Sequence, residues 1–266
     1  MSLLSRDHMI AVLGASSVGL GMRQGSQLRW LGSVGFIDEG PGAWAVALDT
    51  LQRLLSEHAP GRASLHVVLS AHLCRFCLVP WSEQIQRPDE LLAFTHACLE
   101  DLYGAPGQAW AVTLSPAPAG QPRIASAMPQ ALLEQLRSLA KARRLRLASV
   151  QPYLMVAFNR FVRPQAGDDF LFVLAEPQRS VLLTVQQRRW AGVRSVGSAD
   201  SDAALVALIG REQHLQAGTG DAQQLFVHTP ARLDAPAQVP DAQVCGLNDN
   251  LLSVRDGLYV MARAVA

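Results

Sequence analysis

Met9-Ile-Ala-Val-Leu-Gly-Ala-Ser-Ser-Val-Gly-Leu-Gly-Met-Arg23 reads as two short strands, Ile10–Leu13 and Val18–Arg23, joined by the small-residue turn Gly14–Ser17. A third strand, Gln27–Phe36, follows a second turn at Gln24–Ser26. Beyond a Gly40-Pro41-Gly42 break, Trp44, Ala47, Leu48, Leu51, Leu54 and Leu55 recur at spacings of three and four, which predicts a helix over Ala43–His58 with one buried face. Pro60-Gly61 stops it, and Leu65–Ser70 reads as a buried strand. The order is βββαβ.

The same order returns about 160 residues later. Strands are expected at Asp169–Leu174, Ser180–Gln186 and Arg189–Val196, then a helix at Asp200–Leu215 with Ser198 or Asp200 as its N-cap, then a strand at Gln224–His228. Two such units, each a meander followed by a crossover helix, describe an α/β chain with the duplicated ribonuclease-H-like half of the actin, Hsp70 and sugar-kinase architecture. The inference rests on element order, because identity between the halves is negligible. Between them, strands are expected at Leu73–Val79, Trp110–Ser115, Arg123–Ala127 and Arg146–Val150, and helices at Pro88–Tyr103, Pro129–Arg144 and Tyr153–Phe161. The expected division is a first half over 1–70, an inserted α+β subdomain with connecting helices over 71–164, and a second half over 165–266. Two short apolar strands, Gln243–Leu247 and Gly257–Arg263, are expected to close the chain.

Of 266 residues, 49% are hydrophobic and 17% charged, enough to bury a large core and too apolar for disorder. Lys plus Arg totals 23 against 22 Asp plus Glu, and this balance argues against sequence-general nucleic-acid binding. Lys141 is the one lysine, so the Walker-type GxxxxGK[ST] loop is excluded. No run reaches the roughly 18 to 20 apolar residues of a membrane-spanning helix, and Met1–Met9 does not read as a signal peptide, so a cytoplasmic chain with reduced thiols is expected.

Cys74-Arg-Phe-Cys77 has the spacing of a redox or metal motif, but residues three apart on a strand face opposite ways. Without a second CxxC or HxxxH no metal site is expected. The seven histidines include no HExxH, and there is no GxSxG elbow, although a Ser-His-Asp set assembled in space stays open as a hydrolase reading. Arg137, Lys141, Arg143, Arg144 and Arg146 run down one helix and past its end. They fit a solvated face complementing the helix C-terminus, or a contact with anionic lipid or an acidic partner.

Ala11–Gly19 resembles the first phosphate-binding hairpin of actin-like ATPases, usually Asp-Ile-Gly-Ser-Ser-Ser-Val-Lys, with Gly14, Ser16, Ser17 and Val18 retained. The position of the family's acidic residue is Val12, and that of its lysine is Gly19. The second hairpin reads Leu174-Ala-Glu-Pro-Gln-Arg-Ser180 without glycine, and Pro177 removes an amide donor. Val227-His-Thr-Pro230 stands where the family has its adenosine-binding Gly-Gly pair.

An actin-like frame with eroded nucleotide motifs resembles the PilM, MshI and GspL group of pilus and type II secretion assembly proteins. Leu69-Ser70 through Arg75-Phe76 to Leu78-Val-Pro80-Trp81 is similar to that group's LS…VRY…LPW run. Leu102-Tyr-Gly104, Trp110-Ala-Val112 and Gln151-Pro-Tyr-Leu-Met155 followed by Asn159 add to the likeness.

The resemblance implies a non-catalytic scaffold, cytoplasmic and peripheral to the inner membrane. Its implied partners are a bitopic PilN-like membrane protein and an assembly ATPase. A GspL protein carries its own membrane helix after this domain, and the chain ends at Ala266 without one. Arg75, Pro80 and Trp81 are the candidate partner-binding residues, with Trp81 alternatively capping the core. The rival reading is an active ATPase using ATP and magnesium, with Gly14, Ser16, Ser17 and Glu176 as surviving nucleotide and metal contacts.

Overall fold

The computed structural model describes residues 7–37, 43–58, 62–105, 107, 109–215, 223–234, 236–246 and 254–265. The Gly40-Pro41-Gly42 break and the Pro60-Gly61 stop lie outside them. Strands β1 (His8–Leu13), β2 (Ser17–Gln24) and β3 (Gln27–Gly35) form the expected meander, followed by helix α1 (Ala43–His58) and strand β4 (Ser64–Leu69). The middle region supplies β5 (Arg75–Val79), α2 (Pro88–Tyr103), β6 (Trp110–Leu114), β7 (Arg123–Pro129), α3 (Gln130–Ala142) and β8 (Arg146–Pro152). Helix α4 (Tyr153–Ala157) runs straight into a π-helical turn, Phe158–Val162, where a single helix was expected. The second half has β9 (Phe170–Glu176), β10 (Arg179–Gln186), β11 (Arg189–Gly197), α5 (Asp202–Leu215), β12 (Gln224–His228), β13 (Ala242–Val244) and α6 (Gly257–Ala264).

Two five-stranded sheets share one topology: β3-β2-β1-β4-β8 and β11-β10-β9-β12-β13. In each, the meander is antiparallel and the two strands beyond it are parallel. The fifth strand of the first sheet is β8, which arrives from beyond residue 70. The stretch 71–164 is therefore split in space: β5, β7 and β6 form a separate three-stranded sheet covered by α2, while α3 and β8 complete the first half. Both meanders carry a register break opposite a Trp-x-Gly sequence, Trp30-Leu31-Gly32 and Trp190-Ala191-Gly192. This repeat at the expected spacing is a sequence signature of the duplication that periodicity alone does not reveal.

Period-two alternation sorts the strands between layers. Phe170, Phe172 and Leu174 of β9 join a core continuous with the first sheet, while Leu171 and Val173 pack with Leu205 and Ile209 of α5. On the first sheet, α1 and α3 cover one face and α6 the other. The expected strand over Gly257–Arg263 is this helix. Asp256 caps it by accepting the Leu258 amide at 2.8 Å, and Leu258 through Ala262 are all buried, so the run has no polar face to betray a helical period. Helix α5 is likewise capped by Ser201, which accepts from Ala204, in place of Ser198 or Asp200. Of the strand expected at Gln243–Leu247, β13 is the described portion.

Each half closes with a helix that packs on the other half. Helix α6, from the second half, lies over β1, β2 and β3, where Trp30 meets Tyr259 edge-on at 5.6 Å. The π turn after α4, from the first half, places Phe158 against Phe170 and Trp190 of the second sheet at 6.0 and 5.3 Å.

Gly19 makes the first of these contacts possible, because a β-carbon there would sit 2.4 Å from the Trp30 ring and 3.1 Å from Leu258. Gly19→Ala is expected to lower stability by about 1–3 kcal/mol, the usual cost of overpacking. Trp30→Leu in the same chain should recover part of that loss in a double-mutant cycle read by urea denaturation. Additive losses would show that the two residues do not share the site.

Candidate functional site

The positions of the nucleotide motifs converge where the carboxyl ends of both sheets meet, and each is engaged by the protein itself. In the first hairpin the Gly14 amide donates to the Ser17 carbonyl at 2.8 Å, and the Ser16 carbonyl accepts from Phe36 at 2.8 Å. Ser16 is exposed and Ser17 half-buried. A β-carbon at Gly14 would lie 2.8 Å from a Leu258 methyl, so an apolar side chain of α6 covers the turn. Val12, at the position of the acidic residue, is fully buried in the core. Gly19, at the position of the lysine, has its space filled by Trp30.

Glu176, the expected metal contact, is buried at the joint between the halves. Its carboxyl group accepts from the Ser70 hydroxyl and from the Ala71 amide at 2.9 Å. Ser70 in turn donates its amide to the Leu13 carbonyl at 2.9 Å, which ties Glu176 to the base of the first hairpin. Burial raises the Glu176 pKa, against the lowering effect of the Ser70 and Ala71 hydrogen bonds. The adjoining turn is docked as well, with the Pro177 carbonyl 2.8 Å from His72 Nε2 and the Gln178 amide donating to Asp200 at 2.6 Å.

At the third position, His228 bridges the halves through the Tyr153 hydroxyl and the Cys245 carbonyl, both at 2.7 Å. The carbonyl can only accept, so Nδ1 carries the proton and Nε2 accepts from Tyr153. Pro230 and Ala231 pack against Gly257 at the start of α6.

The candidate partner residues are not brought together. Arg75 sits at the start of β5, over the Tyr103 ring at 5.7 Å, and donates to the Cys74 carbonyl at 3.0 Å. Pro80 and Trp81 lie past the other end of β5, on a cavity of about 370 Å³ shared with Ile85, Leu91 and Arg123. Trp81 is 43% exposed and does not cap the core. The Cys74 and Cys77 thiols separate as strand alternation requires, one into the main core and one under α2. Burial pushes both up to about 12, far from reactive thiolates. Ser149 Oγ lies 2.9 Å from His66 Nδ1, and His66 Nε2 lies 3.1 Å from His8, so the third partner is an imidazole where a triad has a carboxylate. Among the described residues, no three His, Cys, Asp or Glu side chains converge as a metal site.

The feature that motif reading misses is a groove of about 530 Å³ between the small sheet and the first sheet. Its walls are β6 and β8, the outer strands of their sheets, and its floor is apolar, with Leu69, Ile124, Met128, Leu147 and Val150. Every residue from Leu147 to Pro152 lines it, as expected when the edge of a strand, and not one face, borders the space. At Ser115, Pro116 and Met155 it continues into a second chamber of about 480 Å³ bounded by Phe158, Phe170 and Trp190. The Gln151-Pro-Tyr-Leu-Met155 run, notable in the sequence only for its family likeness, supplies Gln151, Pro152 and Met155 to the lining.

No known family pattern and no curated protein matches the chain. Solved structures do match. The PilM-PilN type IV pilus biogenesis complex aligns over 100% of both chains at 12% identity with a TM-score of 0.57. The cytoplasmic domain of EpsL, an inner membrane component of the Vibrio cholerae type II secretion system, aligns over 90% of this chain and 85% of its own, at 13% identity and a TM-score of 0.55. A Bacteroides thetaiotaomicron protein with an actin-like ATPase fold and unknown function covers 85% and 82% at 8% identity and 0.56. The chain has an actin-like fold. Gly14 and Ser16 lie in the turn between β1 and β2, Ser17 begins β2, and Glu176 ends β9 at the turn into β10. No described helix is long and apolar enough to cross a membrane.

The His228 joint has a measurable consequence. Burial lowers its pKa from 6.5 to about 4, so the folded protein holds it neutral where the unfolded chain protonates it. Its contribution to stability is complete above pH 6.5 and is lost as pH falls toward 4, an acid-side loss of about 3 kcal/mol at 1.36 kcal/mol per pKa unit. His228→Gln should remove this part of the pH dependence in denaturant titrations. An unchanged acid limb in the variant would contradict it.

Proposed function

We propose that the chain is a non-catalytic actin-like scaffold on the cytoplasmic side of an inner-membrane pilus or secretion assembly platform. It would seat a short extended segment of a bitopic, PilN-like membrane partner in the groove between β6 and β8. The observation that carries this reading is the groove itself, in which the open edge of β8 and one face of the small sheet enclose an apolar space. An edge strand offers a row of backbone donors and acceptors to an added strand, and an apolar floor offers pockets for alternate side chains. Two of the structural neighbours support the setting: EpsL is an inner membrane component of type II secretion, and PilM forms a biogenesis complex with PilN. An assembly ATPase is a second proposed partner, for the exposed Trp81 cavity and not for the groove.

Binding without turnover is supported by the nucleotide positions. Phosphates need free amides and a cation, whereas the Gly14 amide is bonded to Ser17 and Trp30 fills the lysine's place. A metal needs an available carboxylate, whereas Glu176 accepts from Ser70 and Ala71.

Two measurements test the proposal. A fluorescent peptide from the cytoplasmic segment of a bitopic, PilN-like membrane protein encoded beside this chain is expected to bind the full chain. Thr113→Trp, which fills the groove from an exposed position on β6, should weaken that binding at least about tenfold. Equal binding by the variant would remove the groove from the reading. ATP with magnesium should leave the melting temperature unchanged, since a ligand at 100 times its Kd would add about 2.7 kcal/mol. A clear shift, abolished by Gly14→Val, would instead establish a working nucleotide site.

A further inference from the structure

The near-neutral chain gathers cations at the end of the first sheet remote from the Glu176 joint. The strand register aligns Arg23 of β2, His8 of β1, Ser64 of β4 and Arg146 of β8 in one row. Four adjacent strands place that row within ~14 Å. Arg62 precedes β4, and Arg144 ends the α3 connection beside Arg146. Arg263, in the last turn of α6, and Arg160, in the π turn, come close enough to Arg23 to depress its pKa, after burial as the larger cause.

Among the described residues, no ion pair holds any of Arg23, Arg62, Arg144, Arg146, Arg160 or Arg263. Among the described residues, the carboxylates placed at this end are Asp7, hydrogen-bonded to Gln24, and Glu57, beside His58. The acidic groups that balance the total charge gather elsewhere, with Asp89, Glu90, Glu100 and Asp101 all on α2.

We infer that this end of the first sheet is a docking surface for an anionic lipid bilayer. Cations set across strand and helix ends, none of them lining a groove described above, present a broad face suited to a plane of phosphates. Arginine forks pair bidentately with phosphate oxygens, and each cation held near an anionic leaflet adds to the attraction. A long polyanion that wrapped the molecule would also meet the acidic helix. The surface is distinct from the groove, so either reading can fail alone.

The test is co-sedimentation of the full chain at low salt, with vesicles of phosphatidylcholine alone and of equal parts phosphatidylcholine and phosphatidylglycerol. Binding to the anionic vesicles is expected to exceed the neutral control by at least about tenfold and to vanish at high salt, where charges are screened. Arg62→Glu combined with Arg146→Glu should abolish it, while Arg87→Glu, exposed at the start of α2 on the small sheet, and the groove variant Thr113→Trp should retain it. Arg62→Gln with Arg146→Gln serves if the reversal variant does not fold, and should weaken binding. Equal pelleting with both vesicles, no pelleting, or full binding by the Arg62 and Arg146 variants would overturn the proposal. So would displacement from the vesicles by DNA of equal phosphate content, which would identify a nucleic-acid surface instead.

Discussion

The structure depends on the exchange of closing helices between its halves. Neither five-stranded sheet is a finished unit: the first lacks a cover for β1, β2 and β3 until α6 returns from the second half. The second receives Phe158 and Phe161 from the turn that ends the first half. The result is one apolar cluster that includes Val12 and Leu20 of the first sheet, Phe172 and Leu183 of the second, and Met261 of α6. An actin-like cleft that works by opening needs weak contacts between its halves. Here Leu258 covers the first hairpin and Trp30 meets Tyr259 beside it, contacts that favour a single relative placement of the halves.

Buried polar joints add specificity to that apolar contact. A buried carboxyl or imidazole costs free energy unless its hydrogen bonds are made, and each of these two is satisfied only when the halves are in register. Glu176 is matched to Ser70 and Ala71, and His228 to Tyr153 and Cys245. Slipping the β9–β10 hairpin by one residue would strand Glu176, and a shift of β12 against α4 would strand His228. The price of this arrangement is borne at opposite ends of the pH scale: the Glu176 pKa is raised, so its ionised form is disfavoured as pH rises, while the lowered His228 pKa disfavours protonation as pH falls.

The element order was legible because strand alternation and helical spacing are local properties, and most helix and strand spans follow the pattern of apolar residues. The chain end was not legible. In α6 the faces of the helix are buried between two halves that come together only in the fold, so its composition resembles that of a buried strand. The separation of the partner residues was hidden for a related reason. Arg75 and Trp81 are near in sequence, but an extended strand carries them to opposite ends of a sheet. The groove depends on β8 travelling from the middle of the chain to the edge of the first sheet, a non-local pairing that no window of sequence contains. Net charge was the least informative quantity, because a sum of +1 conceals acidic α2 and the basic strand ends alike.

Strand β8 links the two proposed surfaces. It begins at Arg146, within the basic row, and from Leu147 to Pro152 it forms the wall of the groove. At about 3.3 Å per residue the whole strand spans only ~20 Å, so a groove entered from the Arg146 end opens beside the surface proposed to face lipid. A segment emerging from a single membrane span could then pass directly into the groove without a long linker. Short linkers raise effective concentration, so a weak lipid contact and a weak peptide contact would reinforce one another even though neither adds a bond to the other. On this proposal, the rigid joint between the halves would hold one edge strand at a fixed angle to a membrane.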